Sequence, residues 1–243
     1  MNLRPEDAAL LIAQTASEKT VLIGGQAVAF WIRQFKIRPR LAALTVDIDY
    51  LATKAEAKRV SARLKIPHKL RIATFDDNTP NSALLSVELK GYPEPILIDY
   101  LASIVGVDSK AIEESAIVAE FEGQPLRVLH PLHLLQAKIS NLYYLSTKRT
   151  PEGIEQARLA IEIAAAFIEQ AGVGRRDRLD AIETIGSFAA TSAARFASDT
   201  YGLNCLKAVP ASMLREGALP ENFLKKRWPQ ILANGRGGLR SRG

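Results

Sequence analysis

Short apolar strands alternate with helical segments over roughly the first 130 residues, and from His130-Pro131 the apolar period is helical, so the hydrophobic pattern itself divides the chain. Pro5-Glu6-Asp7 followed by Ala8, Leu10, Leu11 and Ile12 predicts a helix to about Ser17, with proline and acids in its first turn. A short apolar strand, Thr20 to Ile23, meets Gly24-Gly25 and passes into an apolar helix from about Gln26 to Phe35. A second strand follows from Thr45 to Tyr50. Thr53-x-x-Glu56 is a capping box that opens a helix to about Leu64. Strands are predicted over His68 to Phe75, Ala83 to Leu89 and Pro95 to Tyr100. The pattern assigns no element to residues 101–116. Ile117 to Phe121 and Pro125 to Leu129 form a hairpin around Glu122-Gly123-Gln124.

Beyond His130-Pro131, the residues Leu132, Leu135, Ile139 and Leu142 make one helical stripe. Long helices are predicted over Pro151 to Gln170 and Arg175 to about Ser198, broken by Gly172 and Gly174. Shorter ones are expected over Ala211 to Glu216 and Glu221 to Ala233. The expected fold is α+β: a mixed sheet with flanking helices over residues 1–130, then a helical bundle over 131–233 and a disordered basic tail over 234–243.

The second strand carries the chemistry. Alternation predicts Asp47 and Asp49 on one face and Val46, Ile48 and Tyr50 on the other. Two carboxylates about 6–7 Å apart along a strand repel by roughly 0.7–3 kcal/mol, a sign that a bound divalent cation reverses. The glycines place backbone amides at a helix start with no Cβ to keep an anion away.

Gly24-Gly25-Gln26-Ala27, followed at helix length by Thr45-x-Asp47-x-Asp49, resembles the nucleotidyltransferase superfamily of DNA polymerase β-like fold, and within it the AbiEii-like bacterial enzymes, several of which are toxins of toxin-antitoxin pairs. The resemblance implies two Mg²⁺ ions held by Asp47, Asp49 and a third carboxylate from a neighbouring strand, and an NTP bound at Gly24, Gly25 and Thr45. Asp99, which closes the apolar run Ile96-Leu97-Ile98, is the candidate third carboxylate, with Glu88 as its rival. Asp76 and Asp77 sit in a turn-rich loop and read as solvated. Lys138, at the margin of its helix stripe, either snorkels to water or, as the resemblance implies, points toward nucleotide phosphates. The family's Lys-Asp pair on the next helix is missing from Glu152-Gly-Ile-Glu155-Gln156-Ala-Arg158, where Gln156 or Arg158 is the polar residue left to take its place.

Charge adds a partner class. Of 32 Lys and Arg, six lie between Asn222 and Gly243 with no acid among them, which leaves 26 cations against 26 Asp and Glu elsewhere. Such a stretch suits the phosphate backbone of RNA or serves only solubility. The resemblance favours an RNA acceptor, tRNA especially, and admits an antitoxin as protein partner. No run approaches the ~20 apolar residues of a membrane span, the acidic N-terminus is unlike a signal peptide, and one cysteine, Cys205, rules out an intrachain disulfide. A cytoplasmic enzyme is expected.

Overall fold

The computed structural model describes residues 3–41, 45, 47–77, 79–170, 174–215 and 217–235. Its α+β architecture is built on one mixed sheet of seven strands in the order β3-β4-β5-β2-β1-β7-β6. In chain order these are β1 (Val21–Ile23), β2 (Ile48–Leu51), β3 (His68–Ile72), β4 (Asn81–Val87), β5 (Ile96–Leu101), β6 (Ile117–Phe121) and β7 (Gln124–Val128). Only β2 with β5 and β1 with β7 run parallel; the other neighbours are antiparallel. The chain clusters into two compact units, Met1–Phe30 with Leu41–His133, and Trp31–Arg40 with Leu134–Gly243.

In the first unit, the sheet buries one face with large side chains. Tyr50 of β2 and Tyr100 of β5 are fully buried and stack with ring centroids 5.6 Å apart. α1 (Pro5–Thr15) covers that face, with Thr15 Oγ1 3.1 Å from the Tyr50 hydroxyl. α3 (Lys54–Arg63) packs against β3 and β4 and is capped as its sequence predicts, Glu56 N–H donating to Thr53 Oγ1 at 3.2 Å. α2 (Gly24–Gln34) begins at the two glycines themselves, so they form its first turn and not a bend before it. β2 begins at Ile48, not Thr45, and residues 42–44 and 46 lie outside the described residues. The unassigned stretch contains α4 (Ser109–Ser115), N-capped by Asp108, whose carboxylate accepts from Ala111 N–H at 2.9 Å. The hairpin turns through Glu122 and Gly123, both at positive φ, the geometry whose twist matches paired strands.

The second unit is helical. α5 (Pro131–Tyr144) belongs to it from Leu134 onward, and α6 (Pro151–Glu169) buries Leu159, Ala160, Ile163, Ala164 and Ile168. The helix expected from Arg175 to Ser198 is two: α7 (Arg175–Ala189) and α8 (Ser192–Tyr201). Thr191 makes the break, accepting Ala194 N–H at 3.3 Å while donating to Phe188 O at 2.7 Å. Ala211–Leu214 is a single 3₁₀ turn, and Glu216, like Gly172, lies outside the described residues. The last predicted helix is a π-helical segment, Phe223–Arg227, continuing as α9 (Trp228–Gly235). α9 packs on α7 at Gly186, where a Cβ would come within 2.7 Å of Ile231. Asn234 and Gly235 therefore end a helix; the rest of the expected basic tail, with Arg236, Arg240 and Arg242, lies outside the described residues. Among the described residues no helix is long and apolar enough to cross a membrane.

Burial lowers the pKa of two histidines at the end of the sheet region, His130 and His133, and His130 the further. His130 precedes α5, accepts Leu132 N–H at Nδ1 (3.2 Å), and has the His133 ring 6.0 Å away. Burial, and secondarily the charge of His133, push His130 down to about 4. The unfolded chain then binds more protons than the folded one between its ordinary value near 6.5 and about 4, so stability falls as pH drops through that window. The His130 contribution is on the order of 2–3 kcal/mol. His130→Gln keeps an acceptor without the titration; urea unfolding should show a profile flatter than the wild type between pH 6.5 and 4 by about that amount, whereas parallel profiles would exclude the assignment.

Candidate active site

Register brings the glycines and two aspartates to one place. β1 pairs with β2 so that Ile23 lies opposite Asp49, and β2 pairs with β5 so that Asp49 lies beside Asp99. Adjacent positions in register share a face. Asp49 and Asp99 therefore stand side by side, half-buried, on the face away from Tyr50, Tyr100 and α1. Neighbouring strands are about 5 Å apart, a separation at which two carboxylates repel by roughly 0.8 kcal/mol in water and about 3 kcal/mol near a protein surface.

The backbone of Gly24 lies directly against this pair. Its φ is +65°, and a Cβ there would stand 1.8 Å from Asp49 Oδ2 and 2.9 Å from Asp49 Cβ. A Cβ on Gly25 would stand 2.4 Å from Thr45 Cβ. Both glycines are thus required by close approach, Gly24 also by its left-handed conformation. Thr45 ties the adjacent backbone as well: its hydroxyl lies 3.2 Å from Asp47 O, and Asp47 N–H reaches the same oxygen at 3.4 Å. Asp47 is half-buried and lies just before β2, so its placement follows from Thr45 and not from strand alternation.

Asn81 completes the cluster. A register shift in β4 between Asn81 and Ala83 sets Asn81 opposite Leu101, on the Asp99 face, and its Nδ2 donates to Asp99 Oδ1 at 2.6 Å. Its only signal in the sequence is a turn-forming asparagine next to Pro80, which any loop would give. Glu88, the rival third carboxylate, follows the far end of β4. Asp99 sits opposite Leu84, four residues or roughly 13 Å of strand away, and Glu88 N–H donates to Pro67 O at 3.0 Å. Register thus separates the two candidates in favour of Asp99 as the neighbour of Asp49.

The other singled-out residues have defined environments. Asp77 is not merely solvated: it accepts from Thr74 N–H (2.7 Å), the Thr74 hydroxyl (3.1 Å) and Arg71 (2.7 Å), and those bonds, Thr74 first, lower its pKa. Lys138, in the second unit, does not snorkel; it is 7% exposed and donates from Nζ to Gln156 Oε1 at 2.6 Å. Of the two residues left in place of the family's Lys-Asp pair, Gln156 is therefore the one that meets Lys138. Arg158 instead grips Glu155 through two bonds of 2.7 Å and also reaches Glu162. Glu155 further accepts Arg40 N–H at 2.6 Å, and its carboxyl is held low by Arg158 first and Arg40 after it. Cys205 is buried, which pushes its thiol up to about 12 and leaves it unreactive at neutral pH.

The donor set fits magnesium. Mg²⁺ is commonly held by one or two carboxylates plus substrate phosphate oxygens, not by an all-protein cage. Asp49 and Asp99 supply that number, and the Cβ-free backbone of Gly24 adjoins them. Among the described residues no group of three His, Cys, Asp or Glu side chains stands ready to hold a metal ion.

Steric coupling between Gly24 and Asp49 is measurable. Gly24→Ala should lower stability by roughly 1–3 kcal/mol, and Asp49→Ala in the same chain should recover part of it. Thermal unfolding of the two single variants and the double variant tests this; strictly additive losses would contradict the contact.

No family model and no curated protein matches the chain. Among solved structures, the crystal structure of JHP933 from Helicobacter pylori superposes with a TM-score of 0.43 and 14% identity, over 96% of this chain and 99% of that one.

Proposed function

We propose that this chain is an Mg²⁺-dependent nucleotidyltransferase that moves a nucleoside monophosphate from an NTP to an acceptor hydroxyl. Its strand-rich unit is then a core of DNA polymerase β-like fold, and its helical unit a C-terminal bundle. The observation that carries this reading is the register that sets Asp49 beside Asp99 with the Gly24 backbone against them. Two half-buried carboxylates in register, with a Cβ-free backbone in contact, suit a metal-bound triphosphate.

Asp49 and Asp99, with Asp47 two residues before Asp49, would hold the metal, which supplies charge neutralisation at the triphosphate and a lowered pKa for the attacking hydroxyl. Asn81 holds the Asp99 carboxylate in orientation through its 2.6 Å bond. Gly24 and Gly25 lend amides at the first turn of α2, where the helix dipole favours phosphate. Attack at the α-phosphorus forms the new P–O bond as the bond to pyrophosphate breaks, and positioning carries the rate. The resemblance also gives Lys138 to the nucleotide phosphates. RNA, tRNA in particular, is the favoured acceptor because of the family likeness and the basic Asn222–Gly243 stretch. The same likeness suggests a toxin restrained by an antitoxin.

A second reading has its own observation. The family's Lys-Asp pair is missing from the helix after Lys138, and Gln156 on that helix accepts from Lys138, so a silent nucleotide- or RNA-binding module of the same fold is the alternative. Incubation of the purified chain with each labelled NTP, Mg²⁺ and total RNA separates them. We expect label on RNA, reduced at least about 10³-fold in Asp49→Asn and Asp99→Asn; Lys138→Ala should weaken NTP binding. NTP binding with no transfer supports the silent module. Label on an added aminoglycoside but not on RNA points to a small-molecule enzyme.

A further inference from the structure

The helical unit contains a cleft that the nucleotidyltransferase reading does not use. It has a volume of about 360 Å³ and lies where the turn after α8 meets α6 and Arg40, in the loop that follows α2, all within the second unit. That volume is at the small end of ligand sites and suits a single nucleotide. Buried Ile161 and Leu203 form its apolar lining.

Its charge is one-sided. Arg40, Arg158 and Lys207 line it against one carboxylate, Glu162, which Arg158 already engages. Arg40 and Lys207 are exposed, and among the described residues neither side chain is in an ion pair or hydrogen bond. Arg40 is nonetheless held at its backbone, where its N–H donates to Glu155 Oε1 at 2.6 Å, so its guanidinium extends from a fixed point.

Two flat groups complete the walls. Tyr201 ends α8, and its ring is braced edge-on by Phe196 at 5.8 Å, itself packed edge-on against Tyr143 at 5.6 Å. Arg158 spends its nitrogens on Glu155 and Glu162, so what it offers a ligand is the plane of its guanidinium, a surface on which rings stack. Gly202, at φ +69°, ends α8 in the left-handed conformation and turns the chain into the wall formed by Leu203 and Asn204.

We propose that this cleft binds a nucleotide, with its phosphate on Arg40 and Lys207 and its base against Tyr201 and Arg158. Cations with an aromatic ring are the combination by which proteins hold nucleotides without reading sequence. An acidic peptide would use the cations and leave the flat walls idle. The site draws on no residue of the aspartate cluster, so it stands or falls separately from the proposed activity.

The test is calorimetric titration of the full chain without metal, using AMP, adenosine, inorganic phosphate and an acidic hexapeptide, in wild type, Arg40→Glu, Lys207→Glu, Tyr201→Ala and Asp49→Asn. AMP should bind at least tenfold tighter than adenosine, phosphate or the peptide. Arg40→Glu and Lys207→Glu should weaken AMP at least tenfold with unchanged melting temperature, Tyr201→Ala should weaken it severalfold, and Asp49→Asn should leave it unaltered. Single-stranded oligoadenylate distinguishes the sources: tighter, salt-dependent binding that Lys207→Glu abolishes marks a nucleotide within RNA, and binding weaker than AMP marks a free mononucleotide. Equal AMP affinity in wild type and both charge-reversal variants, loss only in Asp49→Asn, or a peptide that binds as well as AMP would each overturn the proposal.

Discussion

The close approach of the Gly24 backbone to the Asp49 carboxylate constrains everything around it. With a Cβ position only 1.8 Å from Asp49 Oδ2, no other residue fits at Gly24 without driving that side chain away. The contact exists because β1 and β2 are antiparallel neighbours whose register sets Ile23 opposite Asp49. The neighbouring parallel pair then adds Asp99, and the bulge in β4 adds Asn81. Backbone pairing across four strands places these groups, and a one-residue slip in any of the three ladders would turn an aspartate toward the tyrosine core.

Two opposite faces of the same strands thus have opposite energetics. On one side, Tyr50 and Tyr100 stack in full burial under α1, supplying apolar area and the Thr15 contact. On the other, Asp49 and Asp99 stand side by side on strands about 5 Å apart, with the Gly24 backbone against Asp49 and Asn81 bonded to Asp99. The Tyr50 and Tyr100 layer backs the aspartate face from behind, and the bond from Asn81 to Asp99 holds it from the front.

What the sequence made legible was local. The order strand, diglycine, helix, strand, the Thr53 cap and the turn at Glu122-Gly123 each rest on neighbours in the chain, and each is present, with α2 starting earlier, at Gly24, and β2 later, at Ile48. What it left open was long-range. Asp99 and Glu88 are equivalent as acids at strand ends, and only the pairing of β4 with β5 sends them to different ends of the sheet. Asn81 was hidden because asparagine after proline means a turn in most contexts, and a bulge cannot be read from one strand. Likewise, the Thr191 cap that splits α7 from α8 is a weak signal inside a continuous apolar period, and the bond from Arg40 to Glu155 spans 115 residues.

If the chain is the proposed nucleotidyltransferase, a divalent ion would join Asp49 and Asp99 beside Gly24. Anomalous scattering from a crystal grown with Mn²⁺ and a non-hydrolysable NTP tests it most directly. The account predicts a manganese peak in contact with both carboxylates and with the triphosphate, and its disappearance in Asp49→Asn. Carboxylates pointing into separate regions, or a peak ligated by Glu88 in place of Asp99, would contradict it.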